Sequence, residues 1–267
     1  MGEICKHPCY SNKAHFRYAR IHLPVAPRCN IQCNYCVREY CANENRPGTA
    51  NRVVKPHEVA DYIGDIIKEV TAETTTIGIS GPGESLYNKE TFETLEIINE
   101  LYPNTYRCLA TNGLLVEDRL DDLIECNLTH LTITVNTVNP ETASKIYSWV
   151  NYNGRIYRGV EAGELMVERQ LSGLKEAAES GILVKVNTIY IPTVNDKEIV
   201  DVAKAVSEYA YIMNITPLIP LGNFSGLRKP TPQEISKARW SASRYISQFH
   251  HCIQCRADAF GIPAQRC

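Results

Sequence analysis

An α/β fold built as a partial TIM-type (β/α)6 barrel is what this 267-residue sequence predicts. Three observations carry that reading. Short β-rich runs alternate with helical patterns, each run alternates branched apolar with small or polar side chains, and cap or turn residues mark the joins.

The first strand, "IHLPVAP", sets Ile21, Leu23 and Val25 on one face and His22, Pro24 and Ala26 on the other. A helix near 56–71 follows, with Pro56 in its first turn. "TTIGIS" opposes Ile77 and Ile79 to Gly78 and Ser80, and Asn88 can cap a helix near 88–101. "YRCLATNG" puts Cys108, Ala110 and Asn112 together, before a helix near 118–126. "HLTITVN" opposes Leu131, Ile133 and Val135 to Thr132, Thr134 and Asn136; the long helix near 161–180 is stopped by Gly181. "ILVKVNTIYIP" opposes Val184 and Val186 to Lys185 and Asn187, ahead of a helix near 196–210 capped by Asn195 and Asp196. "IMNITPLIP" aligns Asn214 with Thr216, and Pro232 opens a last helix near 231–249.

Branched apolar faces belong under the helices, so the small and polar faces must line the barrel interior. A filled barrel packs its lumen with Val, Ile and Leu, whereas His, Cys, Thr, Asn and Lys are costly to bury unpartnered. The interior is therefore expected to hold a polar cofactor or substrate. With no short-period repeat and no low-complexity linker, one domain spans 1–267: an N-terminal extension (1–20), a barrel core (21–220) and a C-terminal extension (221–267).

Charge is nearly balanced, 28 basic against 30 acidic residues, so nothing drives the chain toward nucleic acid or an anionic membrane. Lys185 and Asn187 interrupt the longest apolar run, which is too short for a bilayer. "MGEICKHPC" has no apolar leader core, and Lys6 stands where a myristoylation signal needs Ser or Thr. A cytoplasmic protein is expected.

The eleven cysteines are the outlying feature: an odd number without an export signal points to metal ligation rather than disulfides. Cys5, Cys9, Cys29, Cys33, Cys36 and Cys41 crowd the start, and Cys252, Cys255 and Cys267 close the chain. Cys126 reads as a small buried hydrophobe. "CNIQCNYC" places Cys29, Cys33 and Cys36 in one loop directly after the first strand. Structural zinc wants four protein ligands, and a 4Fe–4S cube has four corners. Three thiolates from one loop leave one iron for a ligand that is not protein.

This C-x3-C-x2-C spacing, with Tyr35 before its last cysteine, resembles the radical S-adenosylmethionine (SAM) superfamily. The resemblance implies a cluster whose open iron chelates SAM, and one-electron cleavage that yields a 5′-deoxyadenosyl radical. It also makes "SGPGESL" the counterpart of a Gly-Gly-Glu-Pro-like motif, with Ser80, Gly81, Gly83 and Glu84 near the cofactor; Pro82 and Ser85 depart from that pattern. Tyr35, Asn112, Thr134, Asn136, Asn187 and Ile189 are the further cofactor contacts it suggests.

"CIQC" adds the pair Cys252 and Cys255, an incomplete site, so the two ends of the chain are expected to meet. With "HPCYS", "CANENRPG", "GPGESL", "LATNG", "IYSWV", "RGVEAGELMVERQLSGL" and "CIQCRADA", the sequence resembles the NifB family from Cys9 to about Gly261. That resemblance implies a carbide synthase, which fuses two further 4Fe–4S clusters with a SAM-derived carbon and an added sulfur into the eight-iron precursor of the nitrogenase cofactor. It assigns Cys9, His22 and Cys108 to one substrate cluster, Cys41, Cys252 and Cys255 to the other, and Glu44 to catalysis beside them. Implied partners are cluster donor proteins, a ferredoxin- or flavodoxin-type electron donor, and scaffold or carrier proteins for the nitrogenase cofactor. Ending soon after Gly261, the chain would be the form without the C-terminal carrier-like domain. Two other readings compete: a radical SAM enzyme with auxiliary clusters that modifies a peptide or small molecule, and a non-catalytic iron–sulfur carrier or scaffold.

Overall fold

The computed structural model describes residues 5–40 and 44–265. In chain order its strands are β1 (Ala19–Leu23), β2 (Ile31–Cys33), β3 (Glu39–Tyr40), β4 (Thr49–Ala50), β5 (Thr74–Ile79), β6 (Tyr106–Thr111) and β7 (His130–Thr134), then β8 (Tyr147–Tyr152), β9 (Arg155–Tyr157), β10 (Leu183–Tyr190), β11 (Ile212–Pro217) and β12 (Phe260–Gly261). The helices are α1 (Val59–Glu69), α2 (Lys89–Leu101), α3 (Leu120–Glu125), α4 (Pro140–Ile146), α5 (Gly159–Glu179), α6 (Ile199–Val206) and α7 (Pro232–Ala242).

All six strands expected from alternation form one sheet, ordered β11-β10-β7-β6-β5-β1-β12. Neighbours from β1 to β11 are parallel, and β12 adds antiparallel to β1. Successive strands lie side by side with helical crossovers between them, the outcome of repeated βα units. The sheet curls into a half-barrel rather than closing. Beneath the helices lie Ile21, Leu23, Ile77, Leu131, Val184 and Ile215, each at most 1 % exposed. Full burial of such a side chain contributes about 1.5–3 kcal/mol. The opposite face is the polar one, as the alternation requires.

Three differences have local causes. The last helix stops at Ala242 rather than 249, because the chain turns to pair with the open edge of β11: Met213 N–H donates to Ser247 O and Phe249 N–H to Met213 O. Asn88 precedes α2 without capping it; its side chain instead holds Arg28 and Glu84 backbone carbonyls at 2.9 and 2.7 Å. Asn195 is likewise diverted, donating to Asn136 O and Ile189 O, so α6 begins only at Ile199. The expectation at Pro232 holds: Thr231 and Glu234 form a reciprocal capping box. Helix α4 and a small sheet, β2-β8-β9, occupy stretches that alternation left unread.

Candidate functional site

The three-cysteine loop is fixed from outside the main sheet. Strand β2 pairs antiparallel with β8, and Ile31, Tyr147 and Val150 pack in a second apolar cluster against Cys29, Cys33 and Tyr35. Gln32 Nε2 donates to Cys33 O and Cys36 O at 2.9 and 3.0 Å, and Arg38 Nη2 donates to Gln32 Oε1 at 3.2 Å. Asn34 is tied to the end of α4 through Ile146 O and Lys145 O. The result is a preorganised loop whose three thiols face a cavity of about 320 Å³ on the polar side of the sheet. Burial pushes the Cys29 thiol up to about 12 and raises Cys33 and Cys36 as well.

The "GPGES" stretch clasps this loop through backbone. Gly83 N–H donates to Ala26 O at 2.6 Å and Glu84 N–H to Arg28 O at 2.9 Å. A Cβ on Gly83 would lie 2.4 Å from Arg28 O, so only glycine permits the approach. Ser80, Gly83 and Glu84 line the cavity, whereas Gly81 is not part of the lining. The Glu84 carboxylate accepts from Thr111 Oγ1 at 2.5 Å, Asn112 N at 2.7 Å and Leu86 N at 3.1 Å. Burial nevertheless raises its pKa to about 7, with those donors opposing the rise.

Tyr35, Asn112, Thr134, Asn187 and Ile189 also line the cavity. Asn136 does not: it is fully buried, donates to Tyr35 Oη at 3.0 Å and accepts from Ile189 N at 2.9 Å. It orients two lining residues while its own amide is spent within the protein. Asn214 Nδ2 donates to Asn187 Oδ1 at 2.9 Å.

Sheet register explains the rest. His22, Gly78 and Cys108 share one row across β1, β5 and β6. Strands lie about 4.8 Å apart, so His22 and Cys108 face the lumen roughly 10 Å from each other across a residue with no side chain. A Cβ on Gly78 would meet Cys108 O at 2.7 Å. Cys9 reaches the same cavity because the N-terminal extension folds under the sheet: Tyr10 Oη bonds Thr132 Oγ1 at 3.1 Å and Lys185 Nζ donates to Cys9 O at 3.2 Å.

Cys252 and Cys255 arrive from the other end. Strand β12 anchors their segment to β1, His22 N–H donates to Ala259 O, and Arg20 Nη2 lies 3.0 Å from Cys255 Sγ. Arg256 pairs with Asp258 and donates to Glu44 O at 2.8 Å, while Ala257 N–H donates to Thr49 O at 2.9 Å. The chain after Cys255 is thus bonded to the segment at 44–51. Cys41 itself lies outside the described residues. Glu44 is exposed, forms an ion pair with Arg46 and does not line the cavity.

Burial pushes Cys9 to about 11 and Cys108 to about 12, with Lys185 the leading opposing charge at both. Burial, then Arg20, drives His22 down to about 3. A neutral imidazole is the ligating form, and thiols that start protonated must release protons as metal binds. Among the described residues no three His, Cys, Asp or Glu converge on one point that could hold a single ion. Separate thiols around a roomy cavity suit a cluster, whose irons offer separate attachment points.

Alternation did not reveal Arg20, Gln170 or the clamp formed by Gln32 and Arg38. Arg20 shares the lumen parity of His22, but β1 begins two residues earlier than the apolar run suggests. Gln170 Nε2 donates to Asn112 O and Thr134 O from the buried face of α5. A lone amide among Met166, Gly173, Leu174 and Ala177 was the available signal.

Residues 23–206 match the model of the Radical SAM superfamily. The FeMo cofactor biosynthesis protein NifB of Methanocaldococcus infernus is 48% identical over 260 residues, covering 96% of this chain and 85% of that protein. The chain belongs to the NifB family. NifB of Methanocaldococcus jannaschii is 45% identical over 97% of this chain and 87% of its own length. In fold, Streptococcus suis SuiB superposes with a TM-score of 0.61 at 11% identity, over 88% of this chain and 50% of that one. Like other radical SAM proteins, a NifB chain takes SAM and a 4Fe–4S cluster as cofactors, and the open-cornered three-thiol loop beside a polar cavity fits both. Among the described residues no helix is long and apolar enough to cross a membrane.

Proposed function

We propose that this radical SAM enzyme acts in FeMo cofactor biosynthesis as a carbide synthase. It fuses two 4Fe–4S substrate clusters, a carbon from SAM and an added sulfur into an eight-iron core. The observation that carries this reading is one cavity lined both by the three-cysteine loop and by Cys9, His22, Cys108, Cys252 and Cys255.

When bound, SAM and the resident cluster supply methyl transfer and radical hydrogen abstraction. Cys29, Cys33 and Cys36 would hold the resident cluster, with Tyr35, Ser80, Gly83, Thr134, Asn187 and Ile189 facing SAM. Cys9, His22 and Cys108 would seat one substrate cluster. Cys252 and Cys255, with Cys41, would seat the other. Neither set encloses its cluster completely, which suits a substrate that is rebuilt and released. Glu84 holds a proton near neutrality while bracketing the ends of β5 and β6. Glu44, paired with Arg46, stands on the segment that follows Cys41 and would act beside that substrate cluster. Partners follow from the chemistry: iron–sulfur cluster donors, a ferredoxin- or flavodoxin-type reductant, and scaffold or carrier proteins that receive the core.

Anaerobic reconstitution followed by reduction and SAM addition tests this function. Both S-adenosylhomocysteine and 5′-deoxyadenosine are expected, together with an eight-iron product. Deoxyadenosine alone would point to a peptide- or small-molecule-modifying radical enzyme; neither product would point to a carrier.

A further inference from the structure

Among the described residues Lys185 is a buried cation without an acid. It stands on the lumen face of β10, 6 % exposed, with Nζ donating to Cys9 O at 3.2 Å and lying 4.9 and 5.7 Å from the ring centroids of Tyr10 and Phe249. Among the described residues no carboxylate pairs with it, whereas Arg46 has Glu39 and Glu44, and Arg256 has Asp258. Among the described residues Arg20 and Arg38 are likewise without an acid; Arg20 Nη2 meets the Cys255 thiol and Arg38 Nη1 the Cys36 thiol.

An ammonium taken out of water without a counter-charge costs several kcal/mol. One carbonyl and two ring faces offset about 1–3 kcal/mol of that. What remains calls for an anion in the cavity. Cys9 and Cys108 line the same cavity as Lys185. A thiolate-bound iron–sulfur cube carries the required negative charge.

We infer that Lys185 is a positioning residue of the substrate cavity, whose buried ammonium retains the anionic iron–sulfur cluster seated by Cys9, His22 and Cys108. The inference rests on the function proposed above and adds a residue to it. A purely structural role, with the lysine stem filling space between Tyr10 and Phe249, makes opposite forecasts.

Three full-length proteins separate the two: wild type, Lys185→Met, which keeps the stem and removes the charge, and Lys185→Arg, which keeps the charge. After anaerobic reconstitution with iron and sulfide, Lys185→Met is expected to hold about four irons fewer than wild type, one cube's worth, and Lys185→Arg to restore them. Before reconstitution, Lys185→Met should melt no lower than wild type, because an uncompensated charge has been removed. A full iron complement in Lys185→Met, an iron loss that arginine does not restore, or a lower melting point of the iron-free Met variant would each overturn the inference. Wild type saturating at about four irons would overturn the function beneath it instead.

Discussion

Glu84 is where a single ionisable side chain makes the strongest statement about this protein. Its carboxyl is 3 % exposed and its pKa is raised from 4.5 to about 7, mainly by burial. An acid with a raised folded-state pKa contributes stability that is fully present below pH 4.5 and lost as pH rises through 7. The size is on the order of 3 kcal/mol. Glu84→Gln removes the titration; its single carbonyl oxygen can accept from Asn112 N or from Leu86 N but not both, a loss that does not vary with pH. Denaturant unfolding of the iron-free proteins should therefore show Glu84→Gln gaining on wild type by about that amount across this interval. Parallel pH profiles would contradict it. At this scale the sequence was legible wherever a residue's role follows from strand parity: His22, Cys108, Thr134 and Asn187 are all found on the lumen face. It was illegible where a polar group is spent on another residue. Asn136 and Asn88 look like free amides in a sequence, and only the fold reveals that each has become a bracket.

The C-terminal segment from Phe249 to Gly261 is the element on which the second half of the site depends. Almost no regular secondary structure holds it; β12, a short pairing with β1, and the contacts of Arg256 and Asp258 do. Asp258 Oδ2 also accepts from Asn51 N at 2.7 Å, joining this segment to the one that follows Cys41. Replacing Asp258 by Ala strands that amide and takes the carboxylate from Arg256, which keeps its bonds to Glu44 O and Asn51 Oδ1, at a cost of about 2 kcal/mol. Hydrogen exchange across 249–261 should accelerate several-fold while β5, β6 and β7 keep their protection; uniform acceleration would mean that the segment is not an independent latch. Such a segment has neither period two nor period 3.6, so hydrophobic patterning cannot see it, and here patterning overran α7 into it. The same limit hid β2, which is three residues long and meets its partner β8 over a hundred residues away.

For the molecule as a whole, the six βα units were legible because each strand is short, alternating and bounded by clear breaks. The half-open sheet was less so, since closure depends on what the two chain ends do. Those ends approach the same rim: the N-terminal extension packs under β7 and β10, and the C-terminal segment packs beside β1. Eight of the nine ligand candidates fall within the described residues, and all eight face one cavity.

That convergence is the central claim, and iron stoichiometry tests it most directly. Anaerobically reconstituted wild type should bind about twelve irons per chain, three cubes' worth, and a chain with Cys29, Cys33 and Cys36 all replaced by Ala should bind about eight. Saturation of the wild type at about four irons, with none left in the triple variant, would contradict it.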